Sequence, residues 1–208
     1  MELIKPFSYC FGSKVIEEDL SELEDCDLFI NGREQGDQEV SHLPKNPYRV
    51  LDYYPYSKEV ITEYFNNFVR NNFEYTSDGY EGVPFKLTTS WMTKLGKGDK
   101  IHLHNHQNCM WSGVFYFDEY TEKDVGLSFQ NPIPKDFQFV IGRSKWNPMT
   151  KDVTVQPEHN LLIFFPSFLY HYGDRLNESE GRKSLAFNFV PTGLYGIGDS
   201  SYNPAWVA

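Results

Sequence analysis

The stretch IHLHNHQNCMWSGVFYF, residues 101–117, places three histidines at alternate positions before a run typical of a buried β-strand. Alternate residues of a strand point to the same face. The pattern therefore predicts a strand over 100–106 with His102, His104 and His106 on one face. The run 111–117 predicts a second strand, in which Val114 and Tyr116 share a face.

The rest of the chain predicts further short strands around this pair. Besides 100–106 and 111–117, strand-like segments lie at 85–92, 127–129, 137–141, 153–156, 160–165 and 183–189. Turn signals such as Gly96-Lys97-Gly98 separate them. About eight short strands with intervening turns predict a barrel or jelly roll, in a mainly β fold with flanking helices.

One helix is expected before these strands. Residues 57–73 carry a single apolar stripe, and Ser57 is placed to act as the N-cap. We expect this helix to pack on the outside of a sheet. The chain is interpreted as one domain over 1–208, with its core at 85–190 and an N-terminal extension, 1–50, for which no definite structure is predicted.

Composition narrows the class of protein. The formal net charge of the 208 residues is -10, which argues against nucleic-acid binding because phosphate contacts require a surplus of Lys and Arg. No segment reaches the roughly 18 apolar residues of a membrane span. The three cysteines, Cys10, Cys26 and Cys109, form no disulfide pattern, so we expect a reducing, cytoplasmic location.

A fourth histidine completes a candidate metal site. His171 follows the apolar run 161–165 and Pro166, which ends a strand because proline donates no ladder hydrogen bond. Two neighbouring ligands and one remote ligand form a facial triad with open metal positions. The neighbouring pair can be His104 with His106, or His102 with His104. Surface histidines and a hydrogen-bonded core histidine are the simpler alternatives.

A candidate anion clamp follows in the sequence. Arg182 and Ser184 share one strand face, and a guanidinium with a hydroxyl can hold a carboxylate. Tyr116, if buried beside Arg182, can hold the same carboxylate. The alternatives are that Arg182 lies in water at the start of its strand and that Tyr116 is a core aromatic residue.

The ordered set of motifs resembles a known family. Trp91, Gly98-Asp99, His104-Asn105-His106 and Ser112–Tyr116 are followed by Ile163–His171 and Arg182–Asn188. This order is similar to the prolyl-hydroxylase-like 2-oxoglutarate/iron(II) oxygenases common in bacteria and in marine T4-like phages. The resemblance covers residues 85–190 and implies a double-stranded β-helix, a jelly roll of the cupin-like kind.

The resemblance implies roles for six residues. His104, His106 and His171 match the ligands of Fe(II), Arg182 and Tyr116 match the residues that hold the co-substrate 2-oxoglutarate, and Ser184 assists. The implied reaction couples decarboxylation of 2-oxoglutarate to succinate with hydroxylation of a substrate, with ascorbate as the reductant. No side chain is required as a general base, so no catalytic residue is assigned.

One position departs from the wider superfamily. Most of its members have Asp or Glu where this chain has His106. Three neutral imidazoles leave an iron ion more positive than two imidazoles and a carboxylate.

Two other functions remain open from the sequence. One is a cupin-type three-His metalloprotein that does not use 2-oxoglutarate, and the other is a non-catalytic metal-binding protein. The sequence does not identify the substrate, which we expect to be a small molecule or a peptide, or the oligomeric state. The expected location is the cytoplasm, which would be that of the host for a phage-encoded protein.

Overall fold

A computed structural model describes residues 2–4, 11–24, 29, 46–72, 85–132, 152–194 and 198–203. In these ranges the chain forms one long helix, α1 (Pro55–Asn72), and a series of strands. The strands are β1 (Glu2–Ile4), β2 (Phe11–Val15), β3 (Phe85–Leu95), β4 (Trp111–Tyr116), β5 (Leu127–Phe129), β6 (Val153–Val155), β7 (Leu161–Pro166), β8 (His171–Gly173) and β9 (Arg182–Pro191).

The strands form two antiparallel sheets. The larger has the order β1-β2-β7-β4-β9-β3, and the smaller has the order β6-β5-β8. After β7 the chain leaves the larger sheet and returns in β8 of the smaller one. The predicted mainly β, jelly-roll class is therefore confirmed. The N-terminal extension contributes β2, which pairs with β7 and adds a strand to the larger sheet.

Two hydrophobic cores cover the two faces of the larger sheet. The interior core joins that sheet to the smaller one and includes Tyr116, Phe129, Ile163 and Phe165. The exterior core joins the opposite face to α1. Alternation along β9 divides its side chains between them: Ala186 belongs to the interior core, whereas Leu185, Phe187 and Phe189 belong to the exterior core.

Helix α1 packs against the outside of the larger sheet, as predicted. Its buried face includes Val60, Ile61, Phe65, Phe68 and Val69. The Phe65 ring stacks on Phe189 with centroids 4.0 Å apart. The predicted N-cap is wrong, because the helix begins at Pro55 and the Ser57 amide and hydroxyl instead donate to Glu22 Oε1, at 2.9 and 2.5 Å.

The predicted strand over 100–106 is also wrong as a regular strand. His104 forms an isolated antiparallel bridge with His171, and the Gly173 amide donates to Ile101 O at 2.9 Å. His104 thus follows Ile101 by three residues, whereas Gly173 follows His171 by only two on the paired segment. One residue is extra, as in a β-bulge, and the ladder is interrupted. This extra residue lies between Ile101 and His104, so His102 is out of register with the other two histidines.

A close approach of side chains fixes one glycine in β4. A Cβ added to Gly113 would overlap the Phe187 ring and lie 2.7 Å from Ile163 O. Only glycine leaves room for β4, β7 and β9 to pack at this point.

The other predicted strands correspond to β3, β4, β5, β6, β7 and β9, apart from 137–141, which lies outside the described residues. The short strand β8 was not predicted. No helix among the described residues has the length and apolar character needed to cross a lipid bilayer.

Candidate active site

Three of the predicted ligands meet at one end of the barrel interior. One nitrogen each of His104, His106 and His171 lies within 4.8 Å of the other two. The ring centroids of His104 and His171 are 4.2 Å apart, and those of His106 and His171 are 5.0 Å apart. His102 is outside the cluster, so of the two alternative pairs the structure brings together His104 with His106.

Backbone carbonyls orient two of the three rings. His104 Nδ1 lies 2.7 Å from His102 O, and His171 Nδ1 lies 2.9 Å from Leu169 O. A carbonyl oxygen only accepts hydrogen bonds, so each Nδ1 carries the proton and donates it. In a neutral imidazole this leaves the lone pair on Nε2, which is the arrangement of a metal-binding histidine with its second nitrogen hydrogen-bonded.

Side chains orient the third ring. His106 Nδ1 lies 2.9 Å from both Asn188 Oδ1 and Ser112 Oγ. Ser112 Oγ is also 2.8 Å from Ser167 Oγ. His106 therefore also directs Nε2 away from its hydrogen-bond partners.

Burial keeps two of these rings neutral. Burial lowers the pKa of His171 to about 3, and positive charge on the nearby His104 and His106 acts in the same direction. The hydrogen bond to Leu169 O acts in the opposite direction but does not outweigh burial. Burial likewise lowers the pKa of His106. Because a metal ion binds the unprotonated nitrogen, neutral rings are the form required for coordination.

The predicted clamp residues lie on the interior face of the same sheet. Arg182 is 2% exposed, and its Nη2 donates to Tyr116 Oη at 2.9 Å. Burial raises the pKa of the fully buried Tyr116, although Arg182 acts in the opposite direction, so its hydroxyl stays protonated. Ser184 is two residues along the same face of β9 and is 5% exposed.

Arg182 has an unfilled hydrogen-bond donor. Its Nε is buried and has no hydrogen-bond partner among the described residues. No carboxylate of the described ranges forms an ion pair with this guanidinium. A buried cation with an unpaired donor favours the binding of an anion.

The residues present fit both implied groups. Three imidazoles brought together in this way suit a divalent transition metal such as iron. Arg182 and Tyr116 offer a charge and hydroxyl to a carboxylate. The larger sheet carries both sets on its interior side, since Asn188, which contacts His106, lies on the same face of β9 as Ala186, Ser184 and Arg182.

A cavity of about 860 Å³ borders the metal cluster at His106. Its wall is mainly apolar and includes Met110, Phe168 and Pro191. Cys109 lies in the wall, but among the residues that the structure describes no Asp, Glu, Lys or Arg does. This lining suits an uncharged molecule, because a charged one would lose hydration without gaining an ionic partner.

Sequence reasoning did not assign a role to the residues that hold His106. Ser112 and Asn188 are polar residues within otherwise apolar strands, which was the available signal. They face each other across β4 and β9, and this pairing becomes visible only in the register of the folded sheet.

Part of the chain matches a known protein family. Residues 89–188 match the family described as "Putative 2OG-Fe(II) oxygenase". No curated protein matched the chain.

Solved structures with a similar fold include several oxygenases. HygX from Streptomyces hygroscopicus, with nickel and 2-oxoglutarate bound, has a TM-score of 0.50 and 14% identity, over 88% of this chain and 82% of that one. A Pseudomonas putida prolyl-4-hydroxylase has a TM-score of 0.49 and 15% identity, over 89% and 90%.

An oxidoreductase of the 2OG-Fe(II) oxygenase family from Burkholderia pseudomallei is more distant. It has a TM-score of 0.44 and 13% identity, and the match covers 62% of this chain. The chain spans about half of the length of that structure, 51%. At 14% identity and a TM-score of 0.50, the HygX structure supports the similarity of fold alone. The matched segment, residues 89–188, contains all six predicted site residues, so the similarity to the 2OG-Fe(II) oxygenase family extends over the whole candidate site.

Proposed function

We propose that this protein is an iron(II)- and 2-oxoglutarate-dependent oxygenase. The observation that carries the proposal is the buried Arg182 guanidinium, whose Nε lacks a partner among the described residues, on the interior face that also leads to the three-histidine cluster. A metal site alone would not require a buried cation. A bidentate co-substrate with a distant carboxylate accounts for both features.

The three histidines would hold the metal. His104, His106 and His171 each present Nε2 while Nδ1 is engaged, so their ring orientations are set before the ion arrives. When bound, iron(II) and 2-oxoglutarate together supply oxidation of a substrate by dioxygen, with release of succinate and carbon dioxide.

The clamp residues would bind and orient the co-substrate. Arg182 offers its Nε and its charge to the distant carboxylate, and Tyr116 offers its hydroxyl. Ser184 adds a hydroxyl from the same strand face. The apolar interior core beside them excludes water, which strengthens each of these charge-assisted contacts.

The cavity beside His106 would receive the substrate. Its volume of about 860 Å³ accommodates a small molecule or a short peptide segment. With a formal net charge of -10 we expect no nucleic-acid partner. A cytoplasmic location agrees with the free thiol of Cys109, and ascorbate would serve to keep the iron reduced.

The direct test is the release of succinate from 2-oxoglutarate. The purified protein is incubated with iron(II), ascorbate and oxygen, with and without fractionated lysate as a source of substrate. The proposal expects succinate that depends on iron and on His171, with more formed when a fraction contains the substrate. Absence of succinate under every condition, in a protein that binds iron, would contradict it.

A further inference from the structure

His106 differs from the other two histidines in what holds its ring. His104 and His171 donate to backbone carbonyls, which no side-chain substitution removes. His106 Nδ1 instead faces the side chains of Asn188 and Ser112. The position of the ring proton on His106 therefore depends on side chains.

The register of the sheet brings these two side chains together. Ser112 in β4 and Asn188 in β9 are directly opposite each other. Ser112 Oγ donates to Asn188 Oδ1 at 2.8 Å, and Asn188 Oδ1 lies 2.9 Å from His106 Nδ1. The amide oxygen of Asn188 thus serves both the hydroxyl and the imidazole.

A further contact engages the nitrogen end of the Asn188 amide. Asn188 Nδ2 donates to Thr89 Oγ1 at 2.9 Å, on the adjacent strand β3. The oxygen end of the amide lies on the other side, facing His106 Nδ1 and the Ser112 hydroxyl. An amide oxygen only accepts hydrogen bonds, so the proton between it and His106 belongs to Nδ1.

We propose that Asn188 is a positioning residue for the metal centre: its amide oxygen holds the His106 proton on Nδ1 and so keeps the Nε2 lone pair available to iron(II). This inference rests on the proposed function, because it assigns Asn188 through the ion that His106 would bind. Ser112 completes the arrangement by donating its own proton to Asn188, which leaves its oxygen able to accept from His106.

Loss of the amide would change the direction of the remaining hydrogen bond. Without Asn188 Oδ1, the Ser112 hydroxyl can donate to His106 Nδ1. That exchange places the ring proton on Nε2, where the ion would bind. Hydrogen-bond partners of metal-ligating histidines typically alter metal affinity by about 10- to 100-fold when they are removed.

The test is anaerobic calorimetric titration of iron(II) into metal-free protein. Asn188→Ala should weaken iron(II) binding by about 10- to 100-fold. Asn188→Asp keeps an acceptor at the same place, and Thr89 can donate to it in turn, so iron(II) affinity should return to the parent value or exceed it. A purely structural role would not distinguish the two variants in this way.

Ser90→Ala is the matched control. Ser90 Oγ accepts from the Leu51 amide at 2.8 Å in a buried hydrogen bond that does not touch the metal cluster. The control should lower the melting temperature but leave iron(II) affinity within twofold of the parent.

Three outcomes would overturn the inference. If Asn188→Ala and the parent bound iron(II) with equal affinity, this inference would fail but the proposed function would stand. The same holds if the folded Ala and Asp variants bound iron(II) equally weakly. Failure of the parent itself to bind iron(II) would overturn both this inference and the proposed function, so the two failures are distinguishable.

Discussion

Replacement of Arg182 by Ala should weaken 2-oxoglutarate binding without removing the metal. The guanidinium is 2% exposed, has one Nη2 donor engaged with Tyr116, and has Nε unfilled. A charge-assisted hydrogen bond from such a group is worth roughly 1.5–3 kcal/mol. This corresponds to a loss of roughly ten- to a hundred-fold or more in affinity. Arg182→Lys should restore only part of it, because an ammonium group does not reproduce the planar fork.

The assay is calorimetric titration of 2-oxoglutarate into anaerobic, metal-loaded protein. Lys183→Ala is the matched control. It also removes one positive charge, but Lys183 is the next residue after Arg182 and therefore lies on the opposite face of β9. Its affinity for 2-oxoglutarate should stay within about twofold of the parent, because the charge of this partly exposed residue is screened by solvent. Saturating 2-oxoglutarate should also raise the melting temperature of the parent more than that of Arg182→Ala.

Two results would refute this reasoning. If Arg182→Ala and the parent bound 2-oxoglutarate equally, the guanidinium would not be the clamp. If the metal-loaded parent did not bind 2-oxoglutarate, the cupin-type three-His interpretation would replace the proposed function.

Two further predictions concern the metal ligands and the sheet. His171→Ala should abolish stoichiometric iron(II) binding in an anaerobic titration, whereas His102→Ala should retain it; the reverse ranking would show that the ligand pair is wrong. Gly113→Ala should lower the free energy of unfolding, measured in urea, because its Cβ would overlap the Phe187 ring. Overpacking a core typically costs roughly 1–3 kcal/mol, and the loss here should be at least that large. Gly181→Ala should be tolerated, since its Cβ meets only the flexible end of Lys94, at 3.2 Å, and an equal loss in both variants would contradict the packing argument.

The features that the sequence predicted correctly are those with local causes. The apolar stripe of α1 and the alternation along β9 depend on the periodicity of a single element. The start of α1 was misplaced because Ser57 is held by Glu22, a residue distant in sequence. A local capping preference could not reveal that competing partner.

The candidate site, too, could be predicted only as far as local sequence patterns determine it. Spacing and the family resemblance selected residues that the fold does bring together, but the regular strand at 100–106 failed for a non-local reason. Its pairing with 167–173 leaves one residue over between Ile101 and His104. Spacing alone would have placed His102 on the same face as His104 and left the choice of pair open.

The interrupted ladder also has a consequence for motion. His104 and His106 are held through separate backbone hydrogen bonds, to His171 and Ser167 respectively, whereas His171 begins a strand paired with β5. Segments with few paired neighbours open at a lower free energy than continuous ladders. An ion bound by all three histidines would tie this looser segment to the sheet, as a cross-link does. The amide protons of His104 and His106 should therefore exchange with solvent much faster in the metal-free protein than in the loaded one, while those of β7 change little.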